Sequence, residues 1–211
     1  RVHLSPAGTL AATLYGMPHL VNNRIINRRF LTMFLESTDW GHSWKLKSTI
    51  PYYPDMRADA EWDARDGFTE PQIGYLPGGS LMCLLRTTDG NGIGPLYAAY
   101  SQDGGSSWSQ PKVFDQFGVW PQLLTLANGV TLAAYGRPGL FLRATSDPAG
   151  RHWGRRVTVV PPLKVGHDTC SYSDLIALSA NEALIAYSNF NIPGEDGKPR
   201  KTILTRRIEI P

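Results

Sequence analysis

Apolar and polar residues alternate along this chain in short runs, bounded by clusters of Gly, Pro, Asn, Asp and Ser. A period of two marks half-buried strands, and no stretch carries the i, i+3, i+4 spacing of an amphipathic helix. Four runs open on a turn: AGTLAATLYG at 7–16, GGSLMCLLRT at 78–87, NGVTLAAYGR at 128–137 and NEALIAYSNF at 181–190. A further strand-like run precedes each of the last three: EPQIGYLP, WPQLLTLA and YSDLIALS. The pattern predicts an all-β fold built from four copies of one module, with approximate boundaries 1–66, 67–115, 116–165 and 166–211. Each module holds two apolar strands joined by a hairpin, a third strand, a polar turn and a fourth strand. Four-stranded modules repeated radially predict a β-propeller.

The polar turn is itself a repeat. SQDGGSSW at Ser101–Trp108 and STDWGHSW at Ser37–Trp44 share the skeleton Ser-x-Asp-x-Gly-x-x-Trp. A looser copy, TSDPAGRHW at Thr145–Trp153, has one residue inserted between Asp147 and Gly150. In each, the aspartate (Asp39, Asp103, Asp147) is expected to accept hydrogen bonds from N–H groups inside the turn, and the glycine to take a positive φ. The tryptophan (Trp44, Trp108, Trp153) is expected to begin the next strand and pack between neighbouring sheets, contributing about 2–3 kcal/mol by burial. These residues read as scaffold, not as catalysts.

Composition narrows the function classes. Of the 211 residues 42% are apolar and 18% charged, the balance of a chain with a core and no disorder signature. The net charge of +3 suits acidic ligands but falls short of a nucleic-acid footprint. Cys83 and Cys170 make neither a metal-ligand spacing nor a disulfide framework, and read as buried thiols. No apolar run reaches membrane-spanning length, and no phosphate loop, metal cluster or nucleophile elbow occurs. No metal or cofactor is expected. The chain opens on Arg1 without a leader, which reads as a piece of something longer; a secreted or periplasmic location is compatible with it.

The octapeptide resembles the Asp-box, or BNR repeat, of the sialidase superfamily, whose members are six-bladed propellers. The resemblance extends between the boxes. TEPQIGYLPGGSLMCLLRT is similar to the sialidase stretch in which a glutamate opens a blade and an arginine closes its second strand, here Glu70 and Arg86. YGRPG places Arg137 after the equivalent strand of the next blade, and TCSYSDLIAL resembles the segment carrying the nucleophilic tyrosine, here Tyr172. The resemblance implies an exo-sialidase-like retaining glycoside hydrolase. Arg86 and Arg137 would bind the carboxylate of a sialoglycan or other acidic glycan through their rigid, permanently charged forks. That carboxylate would repel an anionic nucleophile, whereas a neutral tyrosine hydroxyl, deprotonated by Glu70 as it attacks, escapes the repulsion.

The match has gaps. A sialidase site also needs a third arginine in an Arg-Ile-Pro motif and an aspartate acid/base in the first blades. Arg1-Val-His-Leu resembles the first only loosely, and no Asp precedes Asp39. Residues 1–66 therefore read as a later blade, with two N-terminal blades of the same propeller as the expected partner, and the chain alone as a poor hydrolase. His167, Asp168, Gln122 and Trp62 are candidate pocket residues. Asp59, Glu61, Asp63 and Asp66 read as a solvated acidic loop, and 191–201 as an exposed hairpin tip. Two other functions stay open: a non-catalytic propeller that binds glycans or a protein, and a propeller glycosidase for a different acidic sugar.

Overall fold

The computed structural model describes residues 1–17, 29–88, 93–162 and 172–210. They form four antiparallel sheets in chain order. Sheet I holds β1 (Val2–Leu4), β2 (Leu10–Gly16), β3 (Leu31–Ser37) and β4 (Lys45–Ile50). Sheet II holds β5 (Thr69–Tyr75), β6 (Leu81–Arg86), β7 (Leu96–Ser101) and β8 (Lys112–Asp115). Sheet III holds β9 (Val119–Thr125), β10 (Thr131–Gly136), β11 (Leu140–Thr145) and β12 (Val157–Val160). Sheet IV holds β13 (Ser173–Ala177), β14 (Glu182–Pro193) and β15 (Pro199–Glu209). Every sheet is an up-and-down meander, and consecutive sheets stack through their first two strands, β5 on β9 and β9 on β13. This is blade-on-blade packing about an axis, the arrangement of a β-propeller.

Strand alternation explains the stacking. In β6, Leu81, Cys83 and Leu85 join Ala11, Phe34 and Ile50 of sheet I in one core layer, while Met82 and Leu84 join Leu123, Ala133 and Tyr135 of sheet III in the next. In β10 the same two-faced use recurs, with Leu132 and Ala134 packing on Leu175, Ala183 and Ile185 of sheet IV. Middle blades are buried on both faces, so their strands read as continuous apolar runs. The end sheets bury one face only. On the other, Leu14 and Leu46 of sheet I and Ile176 and Ile203 of sheet IV stand exposed. The ring is open, and sheets I and IV touch where Arg1 donates to the Asp174 carboxylate and to Leu175 O.

The octapeptide turns join third to fourth strand at the end where each first hairpin turns. Ser43 N–H and Ser107 N–H donate to Asp39 and Asp103 at 2.9 and 2.8 Å. Asp147 accepts from the N–H groups of Ala149, Arg151 and His152. The Ser43 and Ser107 hydroxyls donate to Asp39 and Asp103 as well, and together with these N–H bonds they hold all three carboxyls well below the usual range, at about 2. Trp108 and Trp153 each meet the preceding blade edge to face, Trp108 on Phe34 and Trp153 on Phe114. They do not begin the next strand, as the sequence predicts. β8 starts at Lys112 and β12 at Val157, so each indole sits in an extended lead-in that leans back onto the earlier sheet.

One acid of the loop before β5 departs from the solvated reading. Asp59 is 2% exposed and accepts from Arg65 Nη2 at 2.8 Å and from Tyr97 Oη at 3.0 Å. A fixed guanidinium offsets the desolvation of this one carboxylate, while Glu61 and Asp63 are exposed, as the sequence predicts. The expected hairpin tip at 191–201 is narrower than predicted: β14 runs to Pro193 and β15 begins at Pro199, so the turn spans 194–198, closed by Gly194 N–H on Lys198 O.

Candidate active site

At the end opposite the octapeptide turns, first strands begin and second strands finish. Glu70 stands at the start of β5 and Arg86 at the end of β6, and Arg86 Nη1 donates to Glu70 Oε1 in an ion pair whose side chains are 9% and 13% exposed. The second carboxylate oxygen accepts the backbone N–H of Trp120 at 2.8 Å, from the start of β9 in the next blade. The Trp120 ring in turn packs edge to face on Tyr172, centroids 4.8 Å apart, just before β13 of the blade after that. Glu70, Trp120 and Tyr172 thus form a chain of contacts across three blades.

Arg137 follows β10. Burial and then the positive charge of Arg86 lower its pKa, while Tyr172 and Glu70 raise it, so the four candidate catalytic side chains share one electrostatic neighbourhood. Arg86 is paired with Glu70, so Arg137 adds a second cation to that neighbourhood.

Backbone geometry aims these side chains. Glu70, Trp120 and Arg137 have positive φ, +43°, +47° and +51°, and each precedes a proline. Left-handed backbone is disfavoured for residues with a Cβ and again before proline, costing about 1–3 kcal/mol per site. In β5 and β9 the ladder skips at these points: Thr69 pairs with Arg86 and Gln72 with Leu84, and Val119 pairs with Gly136 and Gln122 with Ala134. The resulting bulges turn one residue of each strand out over the rim.

A cavity of about 340 Å³ opens beside Glu70, walled by Thr13, Gln72, Trp120, Gln122 and Asp174 among others. Gln122, a candidate pocket residue, is one of these lining residues. Trp62 is not part of this wall. It lies in a short 3-10 helix (Trp62–Ala64), its carbonyl accepting Tyr52 Oη at 2.6 Å and its ring 6.0 Å from the Arg29 guanidinium. His167 and Asp168 lie outside the described residues, as does Cys170, while Cys83 is fully buried in β6. The octapeptide aspartates and tryptophans are at the far end of the blades. Among the described residues no three His, Cys, Asp or Glu gather as a metal-ligand set.

The sequence aligns EPQ with WPQ and thereby nominates Gln122, but it does not single out Trp120, Gln72 or Asp174 as site residues. The signal was there in register: EPQ, WPQ and YSD occupy the same place in three successive blades, so Glu70, Trp120 and Tyr172 form one tier and Gln72, Gln122 and Asp174 the tier below.

No curated protein matches the chain in sequence. Among solved structures, a protein of unknown function from Dyadobacter fermentans superposes with TM-score 0.71 at 19% identity, covering 100% of this chain and 52% of that one. The Penicillium chrysogenum alpha-L-arabinanase, complexed with arabinobiose, gives 0.68 at 16%, covering 98% and 61%. The Trypanosoma rangeli sialidase gives 0.56 at 15%, covering 95% and 30%. The chain thus spans about half the length of the first, three fifths of the second and under a third of the last. At these identities the likeness is one of fold, and it agrees with the open stack of blades. The family assignment comes from the sequence itself, which matches the model of the BNR repeat-like domain over residues 2–185. Blade architecture, octapeptide turns and sequence match converge, and the chain belongs to the BNR repeat-like domain family.

Proposed function

We propose that these blades carry the nucleophile and carboxylate-binding groups of an exo-acting retaining glycosidase for sialic-acid-type sugars. Arg86 and Arg137 bind the carboxylate on the anomeric carbon. Tyr172 Oη bonds to that carbon as the bond to the leaving oxygen breaks, and its proton passes to Glu70. The leaving oxygen takes a proton from a general acid. Water then displaces the tyrosine, giving its proton back to the deprotonated general acid, while the tyrosine recovers its own proton from Glu70. In this reading the general acid and a third arginine come from two further blades of a six-bladed ring.

The observation that carries the reading is the linkage of Glu70 to Arg86 on one oxygen and to Trp120, the packing partner of Tyr172, on the other. It supports the reading in that Glu70, Arg86 and Tyr172 stand on one rim, with Arg137 in the same electrostatic neighbourhood. The fold, shared with a sialidase and an arabinanase, is compatible with glycan chemistry.

The test is Tyr172→Phe in the intact protein with a fluorogenic sialoside. Turnover should fall about a thousandfold or more while the substrate still binds. Near-normal turnover removes the nucleophile role. Glycan binding with no turnover in the unmutated protein favours a binding propeller.

A further inference from the structure

Gln122 is 6% exposed and lines the axial cavity, yet its amide makes no hydrogen bond to the described residues. The amide faces the cavity and can hydrogen-bond whatever fills it. The residues around it form a regular array. Arg1, Gln72, Gln122 and Asp174 each stand three places before Leu4, Tyr75, Thr125 and Ala177, the residues that pair with Leu10, Leu81, Thr131 and Ala183 at the first hairpin of their blades. The four sheets therefore present one side chain each at the same depth, and all four line the cavity.

The chemistry of this tier differs from that of the rim above it. Arg1 and Asp174 pair with each other, so their charges cancel. Leu175 N–H and Arg1 both bond Asp174 Oδ1, leaving Oδ2 as an acceptor. Gln72 uses Nε2 on His3 and on Ile73 O, leaving its carbonyl oxygen as an acceptor. Thr13 donates to Pro71 O and keeps its hydroxyl lone pairs. Gln122 offers two donors and an acceptor. Such a set suits hydroxyl groups, each of which both donates and accepts. Pro71, Pro121 and Trp120 add apolar surface for C–H faces, and about 340 Å³ falls within the ordinary range of small-ligand pockets.

We propose that this cavity is a binding site for an uncharged polyhydroxylated group, with Gln122 as its principal hydrogen-bonding side chain. Together with the proposed anion-binding role of Arg86 and Arg137, on which this substrate assignment rests, it defines a substrate with a carboxylate at one end and a hydroxyl-rich remainder reaching the axis.

The experiment measures calorimetric binding of two probes, sialic acid and the uncharged disaccharide arabinobiose, to the intact protein carrying Tyr172→Phe. Gln122→Leu should weaken both probes about tenfold, and Arg86→Leu should weaken sialic acid alone. Gln122→Glu, which keeps size and hydrogen bonding but adds a negative charge, should hold arabinobiose within about threefold and lose sialic acid, and it decides the matter if the leucine variant does not fold. Unchanged binding of both probes in the Gln122 variants overturns the cavity assignment and leaves the carboxylate site standing. Arabinobiose binding that depends on Gln122, with no binding of sialic acid, keeps the cavity and removes the acidic substrate. Failure of both probes to bind removes both.

Discussion

Glu70 and Arg86 stand at adjacent strand ends sixteen residues apart and form an ion pair whose side chains are only 9% and 13% exposed. Removing one partner strands the other charge away from water, whereas removing both strands neither. Arg86→Leu is expected to cost about 3–5 kcal/mol of stability, and Glu70→Leu with Arg86→Leu clearly less. Urea midpoints of the two proteins check this; equal losses would mean that the pair is open to solvent.

Trp120 is held at φ +47° before Pro121 while its N–H bonds Glu70 and its ring meets Tyr172. Glycine relieves the backbone cost, keeps the N–H and removes the ring. Trp120→Gly should therefore unfold no earlier than the unmutated protein despite losing a large side chain. In the proposed glycosidase its turnover should fall about 10–100-fold. Thermal unfolding and steady-state kinetics on one preparation separate the two effects.

Two octapeptide glycines share a backbone but not a neighbour. Gly41 has φ +90° and a Cβ there would meet nothing nearer than 3.7 Å; Gly105 has φ +87° and a Cβ would lie 2.3 Å from the Phe34 ring. Gly41→Ala should cost about 1–2 kcal/mol for the left-handed backbone alone. Gly105→Ala should cost that plus about 1–3 kcal/mol of overpacking between blades I and II. Equal losses in denaturant titrations would remove the inter-blade contact.

The three octapeptide carboxyls, Asp39, Asp103 and Asp147, are lowered to about 2. A depressed folded pKa contributes stability that is present above the ordinary carboxyl value and is lost as pH falls through the folded one. The melting temperature should therefore drop between about pH 4 and pH 2, and the drop should be shallower in a protein with all three changed to Ala. Melting curves across that window measure it; an unchanged slope would mean that other carboxyls carry acid denaturation.

Much of the fold was legible because its signals are local. Strand alternation depends on neighbours two positions apart, and the Ser-x-Asp-x-Gly-x-x-Trp turn closes on itself through Ser107 N–H and Asp103, four residues apart. Any chain with those residues makes those bonds, so module, turn and strand order follow from the string. Glu70 and Arg86 were legible for the same reason, since one hairpin brings them together.

The remainder depends on contacts between blades. Asp59 looks solvated in its run of acids, and only the approach of Tyr97 and Arg65 buries it. Trp120 reads as an unremarked aromatic until its N–H meets Glu70, fifty residues away. Gln122 gains meaning from the tier it shares with Arg1, Gln72 and Asp174, one residue from each blade. Alternation along a strand is set by the chain's own covalent geometry, and it fixes which side chains share a face. Which blade that face meets, and at what depth about the axis, is decided by the rotation between sheets, and that rotation is set by long-range packing that no short window of sequence contains.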